Sequence, residues 1–304
     1  MNRIRSIALA LALSAPPVWG QQPQAPRPFV LEGTEVHDLQ ASQLGRDYQL
    51  FVGLPPKYDQ QTHRYPVLVV LDAEYGFPLL RSIARRVSEH GKRLDDFILV
   101  GISYARGDTP QYSRRRDYTP SARGVQDAES DMPGRAPVFG EAEAFRRFIK
   151  AEVLPFLAQR YRVDMSRKIF SGHSYGALLG VHILLTDPTM FDHYILSSPS
   201  LWFGDGLMFG REVTYASSHK DMKANVFLGA GGLETINRSR KQDPRYNTTV
   251  DIVGDMQRFE RALKSRRYPS LHIESHVIDG EDHLTVAPSI LTKGLLWSLG
   301  RAPR

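Results

Sequence analysis

Continuous apolar runs alternate along the chain with segments in which apolar residues recur every three or four positions. Residues 65–72 (YPVLVVLD) and 97–103 (FILVGIS) are rich in β-branched and aliphatic side chains, which is typical of parallel strands covered on both faces. Residues 46–54 roughly alternate polar and apolar positions and predict an edge strand. Residues 141–162 carry apolar groups at helical spacing behind an acidic start and predict an amphipathic helix.

The same rhythm continues to the end of the chain. The pattern predicts further strands at 168–170, 194–197, 225–228 and 271–278, and helices at 250–266 and 285–299. Such alternation indicates one α/β domain, residues 34–304, with a mostly parallel central sheet flanked by helices. Residues 104–140 are too long for a plain connection, so they either border a site or form an ordered surface loop.

The first residues have a different composition from the rest. Arg3 and Arg5 precede an apolar run at 7–14, and polar residues follow Gly20, which predicts a secretory signal peptide at 1–20 and a linker at 21–33. The apolar run is shorter than the roughly 20 residues that span a bilayer, so a membrane anchor is not favoured. We therefore expect export to the periplasm and no stable membrane insertion.

Composition narrows the chemistry available to the chain. It contains no cysteine, which excludes disulfides, thiolate metal sites and a cysteine nucleophile. The formal net charge is +6, with basic clusters at 114–116 and 238–245, but no nucleic-acid-binding motif accompanies them. The clusters are either a solvated basic face or a recognition surface for an anionic ligand.

The stretch SGHSYGALLG, residues 171–180, suggests a catalytic nucleophile. It contains the pattern Gly-x-Ser-x-Gly, in which two small residues let a strand turn sharply into a helix and expose the serine between them. The helix that follows points its positive end at Ser174, which favours a developing oxyanion. The backbone N–H of Tyr175 is the first predicted oxyanion donor, and the second is expected from the loop Asp72-Ala73-Glu74.

A serine nucleophile needs a general base and an acid to orient it. Among ten histidines, only His283 is both late in the chain and in a loop that follows a strand, so we assign it as the base. His173, inside the pentad, is a predicted pocket residue. Glu234 follows the strand at 225–228 and is the favoured acid, with Asp205 and Asp255 as alternatives.

Six stretches carry a resemblance that is more specific than the pentad. The chain resembles the putative-esterase family of α/β hydrolases, and within it the bacterial siderophore esterases that cut catecholate trilactones such as enterobactin and salmochelin. The resemblance covers most of the mature chain, and the stretches that carry it are YPVLVVLDAEYGF at 65–77, VGISY at 100–104, RRDYTPS at 115–121, EAEAFRRFIKAEVLPFLAQRYRVD at 141–164, SGHSYGALLG at 171–180 and FDHYILSSPSLWF at 191–203.

The resemblance implies roles for individual residues. Ser174 and His283 fall on the family's nucleophile and base, and Glu234 falls near its acid, although a Ser-His dyad remains an alternative. The family usually has Asp-Gly where this chain has Asp72-Ala73, and because alanine resists a positive φ we take the second oxyanion donor from Glu74. The residues expected to contact substrate are His173, Arg114, Arg115, Arg116, Trp202 and Arg238.

The substrate implied by the resemblance is an anionic ferric catecholate siderophore. No cofactor is expected, and iron would arrive only as part of the substrate. The same residues would also serve a general carboxylesterase or acyltransferase. An alternative of another class is a non-catalytic periplasmic protein that binds a ferric siderophore.

Overall fold

The computed structural model describes residues 26–89, 94–125, 128–237, 243, 245–246 and 249–300. The predicted signal peptide at 1–20 and the predicted contact residue Arg238 lie outside these residues. All helices and strands described below belong to one compact unit, Gly33–Arg304. No helix in the described part of the chain is long and apolar enough to cross a membrane.

The described strands form one eight-stranded sheet. Its spatial order is β1-β2-β4-β3-β5-β6-β7-β8; β2 runs antiparallel to β1 and β4, and the remaining pairs are parallel. The strands are β1 (Thr34–Ala41), β2 (Arg46–Gly53), β3 (Tyr65–Val70), β4 (Ile98–Ile102), β5 (Val163–His173), β6 (His193–Ser197), β7 (Ala224–Gly231) and β8 (Leu271–Ile278).

Helices cover both faces of the sheet. Side chains alternate between the faces along each strand, so Val67 and Val69 of β3 join one apolar core while Leu68 and Val70 join the other. Helices α1 and α8 close the second core, and α3 to α7 contribute to the first. The helices are α1 (Ala73–Glu89), α2 (Pro110–Tyr118), α3 (Ala142–Phe148), α4 (Leu154–Arg160), α5 (Tyr175–Thr186), α6 (Phe203–Ser218), α7 (Ile252–Ser265) and α8 (Val286–Leu299).

The mostly parallel α/β domain is confirmed, but three local predictions change. The strand at 46–54 is not at the edge, because the unpredicted β1 pairs outside it. The helix predicted at 141–162 is divided into α3, a π-helical turn at Ile149–Val153 and α4. The stretch 104–140 contains α2 rather than only irregular chain.

Candidate active site

Three neighbouring strands end in a residue with left-handed backbone. Asp72 follows β3 with φ 53°, Ser174 follows β5 with φ 59°, and Ser198 follows β6 with φ 47°. Non-glycine residues in this region cost of order 1–3 kcal/mol each and cluster at functional sites. Because parallel strands end at the same edge of the sheet, the three strained turns converge at the edge where α/β proteins bind ligands.

The turn around Ser174 depends on a close backbone approach. A Cβ atom added at Gly172 would lie 2.4 Å from the carbonyl carbon and oxygen of Gly176, so only glycine fits. At Gly176 the nearest atom to an added Cβ is 3.5 Å away, which is ordinary contact. The crowding predicted for the pentad is therefore confirmed at Gly172 and not at Gly176. Ser174 sits directly before α5, at its N-terminal end.

The serine, the histidine and the glutamate predicted from the sequence form one hydrogen-bonded chain. His283 Nε2 lies 3.0 Å from Ser174 Oγ, and His283 Nδ1 lies 2.7 Å from Glu234 Oε2. These are the distances at which a base can accept the serine proton and an acid can fix the tautomer of the base. Of the three acids considered, Glu234 is the one that His283 contacts, so the geometry is that of a triad rather than a dyad.

Both carboxylate oxygens of Glu234 accept hydrogen bonds. Its side chain is 2% exposed, and Oε1 accepts hydrogen bonds from Ser198 Oγ at 2.6 Å and from Gly231 N–H at 2.7 Å. Oε2 is left for His283. A buried carboxylate requires such donors, because burial without them would favour its neutral form.

His173 packs beside the base. Its ring centroid lies 4.7 Å from that of His283, and its Nδ1 lies 3.0 Å from Ser197 Oγ. Burial, together with nearby His283 and Arg114, lowers the pKa of His173 to about 3. The side chain is therefore neutral at physiological pH and fills space next to His283 without adding charge.

The loop after β3 corrects one premise about the oxyanion hole. The left-handed residue is Asp72, whereas Ala73 is already helical, so alanine meets no conformational penalty there. The backbone N–H groups of Tyr75 and Gly76 donate to Asp72 O. The N–H groups of Ala73 and Glu74 belong to the first turn of α1, where backbone N–H groups have no intrahelical acceptor. Burial raises the pKa of Glu74, while hydrogen bonds from its own N–H and from Tyr104 N–H oppose that rise. Glu74 N–H remains a prediction, and Ala73 N–H is a second candidate donor.

The three consecutive arginines of α2 have different surroundings. Arg114 Nε donates to Asp72 Oδ1 at 2.9 Å, and its Nη2 donates at 3.3 Å to His173 O, the carbonyl just before the nucleophile. It thus joins the loop after β3 to the nucleophile turn. Arg115 is half-buried and donates to the neutral carbonyl of Glu129.

The prediction that Arg116 contacts substrate was wrong. Its side chain is 4% exposed and pairs with Asp117 at 2.8 Å and Asp108 at 2.6 Å. Asp117 also accepts from Tyr48 and Arg46 of β2, so this cluster fastens α2 to the sheet. The positive charge of Arg116 is neutralised by these two buried carboxylates.

Aromatic side chains stand beside the nucleophile. The half-buried Trp202 has its ring centroid 6.1 Å from that of Tyr175, which is also in edge contact with Phe203 at 5.8 Å. Burial raises the pKa of Tyr175, and the charges of Arg115 and Arg114 oppose that rise. The guanidinium of Arg114 lies 5.9 Å from the ring centroid of Tyr175, which places α2 near the residue that follows Ser174.

Sequence reasoning missed a serine-rich segment, Ser197–Ser200, that begins at the last residue of β6. Ser197 contacts His173, Ser198 contacts Glu234, and Ser200 Oγ lies 3.4 Å from Ser174 Oγ. All three serines are at most 1% exposed. The available signal was their position at the end of a predicted strand and directly after it, at the same sheet edge as Ser174.

A mostly parallel sheet with a serine, a histidine and a carboxylate joined at the carboxyl ends of its strands defines an α/β hydrolase. In the described residues, no group of three His, Cys, Asp or Glu could hold a metal ion. The chain belongs to the putative esterase family, whose model matches residues 41–258. It is therefore an ester-hydrolysing enzyme of the serine hydrolase class.

Two characterised relatives and one solved structure illustrate the similarity. The chain is 28% identical over 281 residues to the ferri-bacillibactin esterase of Bacillus subtilis, covering 89% of this chain and 91% of that protein. It is 32% identical over 203 residues to the siderophore enterobactin esterase of Emericella nidulans, covering 65% of each. The BES protein from Bacillus cereus superposes with a TM-score of 0.73 at 26% identity, over 91% of this chain and 100% of that one.

Proposed function

We propose that this esterase is a periplasmic enzyme that hydrolyses the ester bonds of a catecholate siderophore trilactone, such as ferric enterobactin, to release iron. The observation that carries the proposal is the chain from Ser174 Oγ through His283 to Glu234, in a protein whose relatives are named siderophore esterases. Iron enters the site only as part of the ferric siderophore.

The triad geometry supports a two-step mechanism. His283 Nε2 accepts the Ser174 proton while Ser174 Oγ bonds to the ester carbonyl carbon, and backbone N–H groups stabilise the oxyanion. The tetrahedral species collapses as the carbon–oxygen bond to the leaving alcohol breaks and His283 returns the proton to that oxygen. Water then attacks the acyl-enzyme with His283 as base, which releases the acid and regenerates Ser174.

Substrate recognition is assigned to α2 and the aromatic cluster. Arg115 supplies positive charge near Tyr175 without a carboxylate partner among the contacts described above, which suits an anionic ferric complex. Trp202 offers a half-buried indole on which catechol rings could stack. Arg114 acts instead through Asp72, because its guanidinium is already paired.

Export rests on the sequence of residues 1–20. Expression of the full chain and of a chain lacking these residues, followed by fractionation of a Gram-negative host, tests it. The full chain should appear in the periplasm with its leader removed, and the shortened chain in the cytoplasm. Full-length, uncleaved protein in the cytoplasm would refute export.

The substrate is tested with purified residues 21–304 and its Ser174→Ala variant. Each is incubated with ferric enterobactin, iron-free enterobactin and a short p-nitrophenyl ester, and linear products are followed by chromatography. The proposal expects fast trilactone cleavage that requires Ser174 and favours the ferric form. Cleavage of the short ester alone would indicate a general carboxylesterase, and tight ferric binding without cleavage of any ester would indicate a binding protein.

A further inference from the structure

The backbone at Ser198, the residue directly after β6, is strained. Ser198 has φ 47° and precedes Pro199, although a residue before proline is normally driven to extended conformations. Its N–H donates to Gly229 O at 2.6 Å, which fastens the strained residue to the end of β7. Backbone strain of this kind persists only where surrounding contacts fix it.

The strain directs the Ser198 hydroxyl at the buried acid. Ser198 Oγ donates to Glu234 Oε1 at 2.6 Å, a charge-assisted hydrogen bond, and Ser198 is fully buried. Ser198 Oγ and Gly231 N–H both donate to Oε1. The other oxygen, Oε2, then faces His283 Nδ1 at 2.7 Å. The carboxylate plane is thereby fixed from the side opposite the histidine.

Removing this donor should affect the reaction through Glu234. A carboxylate with one donor fewer on Oε1 can rotate about its Cγ–Cδ bond, and the freed Oε1 then competes with Oε2 for the hydrogen bond from His283 Nδ1–H. The imidazolium that forms during attack on the ester is stabilised by a correctly oriented carboxylate, so misorientation weakens transition-state binding more than substrate binding.

We propose that Ser198 is a positioning residue for catalysis: it holds Glu234 so that one carboxylate oxygen always faces His283. The inference rests on the proposed triad. The turn after β6 thus orients the acid, while the turns after the neighbouring strands β3 and β5 carry the predicted oxyanion loop and the nucleophile.

The test is a double-mutant cycle on the purified chain with a short p-nitrophenyl ester, which makes it independent of siderophore identity. Ser198→Ala, Glu234→Ala and the double variant are compared by kcat, KM and thermal unfolding. Ser171→Ala is the matched control, because Ser171 is also fully buried, lies in β5 and has no hydrogen-bond partner for its hydroxyl among the described residues.

Ser198→Ala should lower kcat by about 10- to 100-fold, as expected for a lost hydrogen bond to a charged group, and change KM less than twofold. In the Glu234→Ala background the same substitution should have almost no further effect on kcat. Ser171→Ala should retain wild-type kcat. If Glu234→Ala does not fold, Glu234→Asp replaces it, because the shorter side chain cannot bridge Ser198 and His283.

An unchanged kcat in Ser198→Ala, or an equal loss in both backgrounds, would overturn the positioning role. Full ester hydrolysis by Ser174→Ala would instead overturn the triad itself. The two failures are therefore distinguishable in one set of assays.

Discussion

At the scale of single residues, the run Arg114-Arg115-Arg116 shows that neighbouring charges of one sign can have separate tasks. Successive positions on α2 point in different directions, so Asp72 pairs with Arg114 and Asp117 with Arg116, while Arg115 meets a neutral carbonyl. A sequence shows the charges but not the carboxylates that neutralise them. This is why three arginines were predicted to contact substrate and the structure leaves one suited to that role.

Glutamine substitutions at Arg114 and Arg115 should separate these tasks. Arg115→Gln should raise KM for ferric enterobactin about two- to fivefold, less at high salt, and leave the short ester unaffected. Arg114→Gln should lower kcat for both substrates and reduce the free energy of unfolding by about 1–3 kcal/mol, because Asp72 keeps a poorly solvated charge.

Steady-state kinetics and chemical denaturation check both variants. Arg106→Gln is the control, since Arg106 is an exposed arginine whose partner Asp38 is also exposed. Identical behaviour of the Arg114 and Arg115 variants on the two substrates would contradict the division of roles.

At the scale of elements, periodicity identified every described strand except β1, and it missed the helices α1, α2 and α6. Strand β8 was predicted with its observed bounds, and α7 and α8 to within two residues. Strand β1 (TEVHDLQA) and helix α2 (PQYSRRRDY) were missed, because β1 is an edge strand with few buried positions and α2 buries Arg116 and Asp117. A buried ion pair gives no apolar period for a sequence pattern to show.

The nucleophile turn allows a matched pair of glycine substitutions. Gly172→Ala should abolish activity and lower the melting temperature by several degrees, because its Cβ would overlap the Gly176 backbone. Gly210→Ala, in the interior of α6 with no atom of the described residues within 4 Å of the added Cβ, should leave kcat unchanged and stabilise the protein by about 0.5–1 kcal/mol.

Calorimetry and ester hydrolysis measure both effects. Wild-type activity in Gly172→Ala would show that the turn can open without harm to the site.

At the scale of the whole molecule, the fold brings together residues that are distant in the chain. Ser174 and His283 are separated by 109 positions, and Glu234 and His283 by 49. Chain order and placement after strands were enough to predict these three, because parallel strands end at one edge. The hydroxyls of Ser197, Ser198 and Ser200 were missed, since ordinary serines gain a role only through the turn that directs them.

A buried histidine network links helices on one face of the sheet and makes stability depend on pH. Arg211 donates to Nδ1 of His182 at 2.7 Å, so His182 Nε2 carries the proton and faces Glu143 at 3.1 Å. Burial first, and then the charge of Arg211, lowers the pKa of His182 to about 4 from 6.5. The unfolded chain binds a proton at higher pH than the folded protein does.

The contribution of this neutral histidine is therefore fully present above about pH 6.5 and is lost as the pH falls toward 4. Between these limits the wild type should lose at most about 3 kcal/mol of unfolding free energy relative to His182→Gln. Urea denaturation of both proteins at several pH values measures the difference. Parallel curves would contradict a depressed pKa at His182.

The most direct test of the central claim, that Ser174 is the nucleophile of a Ser-His-Glu triad, is active-site labelling by diisopropyl fluorophosphate followed by mass spectrometry. We predict one adduct per chain on the peptide that contains Ser174, none in Ser174→Ala, and labelling slowed at least about a hundredfold in His283→Ala. An adduct on another serine, or wild-type ester hydrolysis by Ser174→Ala, would contradict the account.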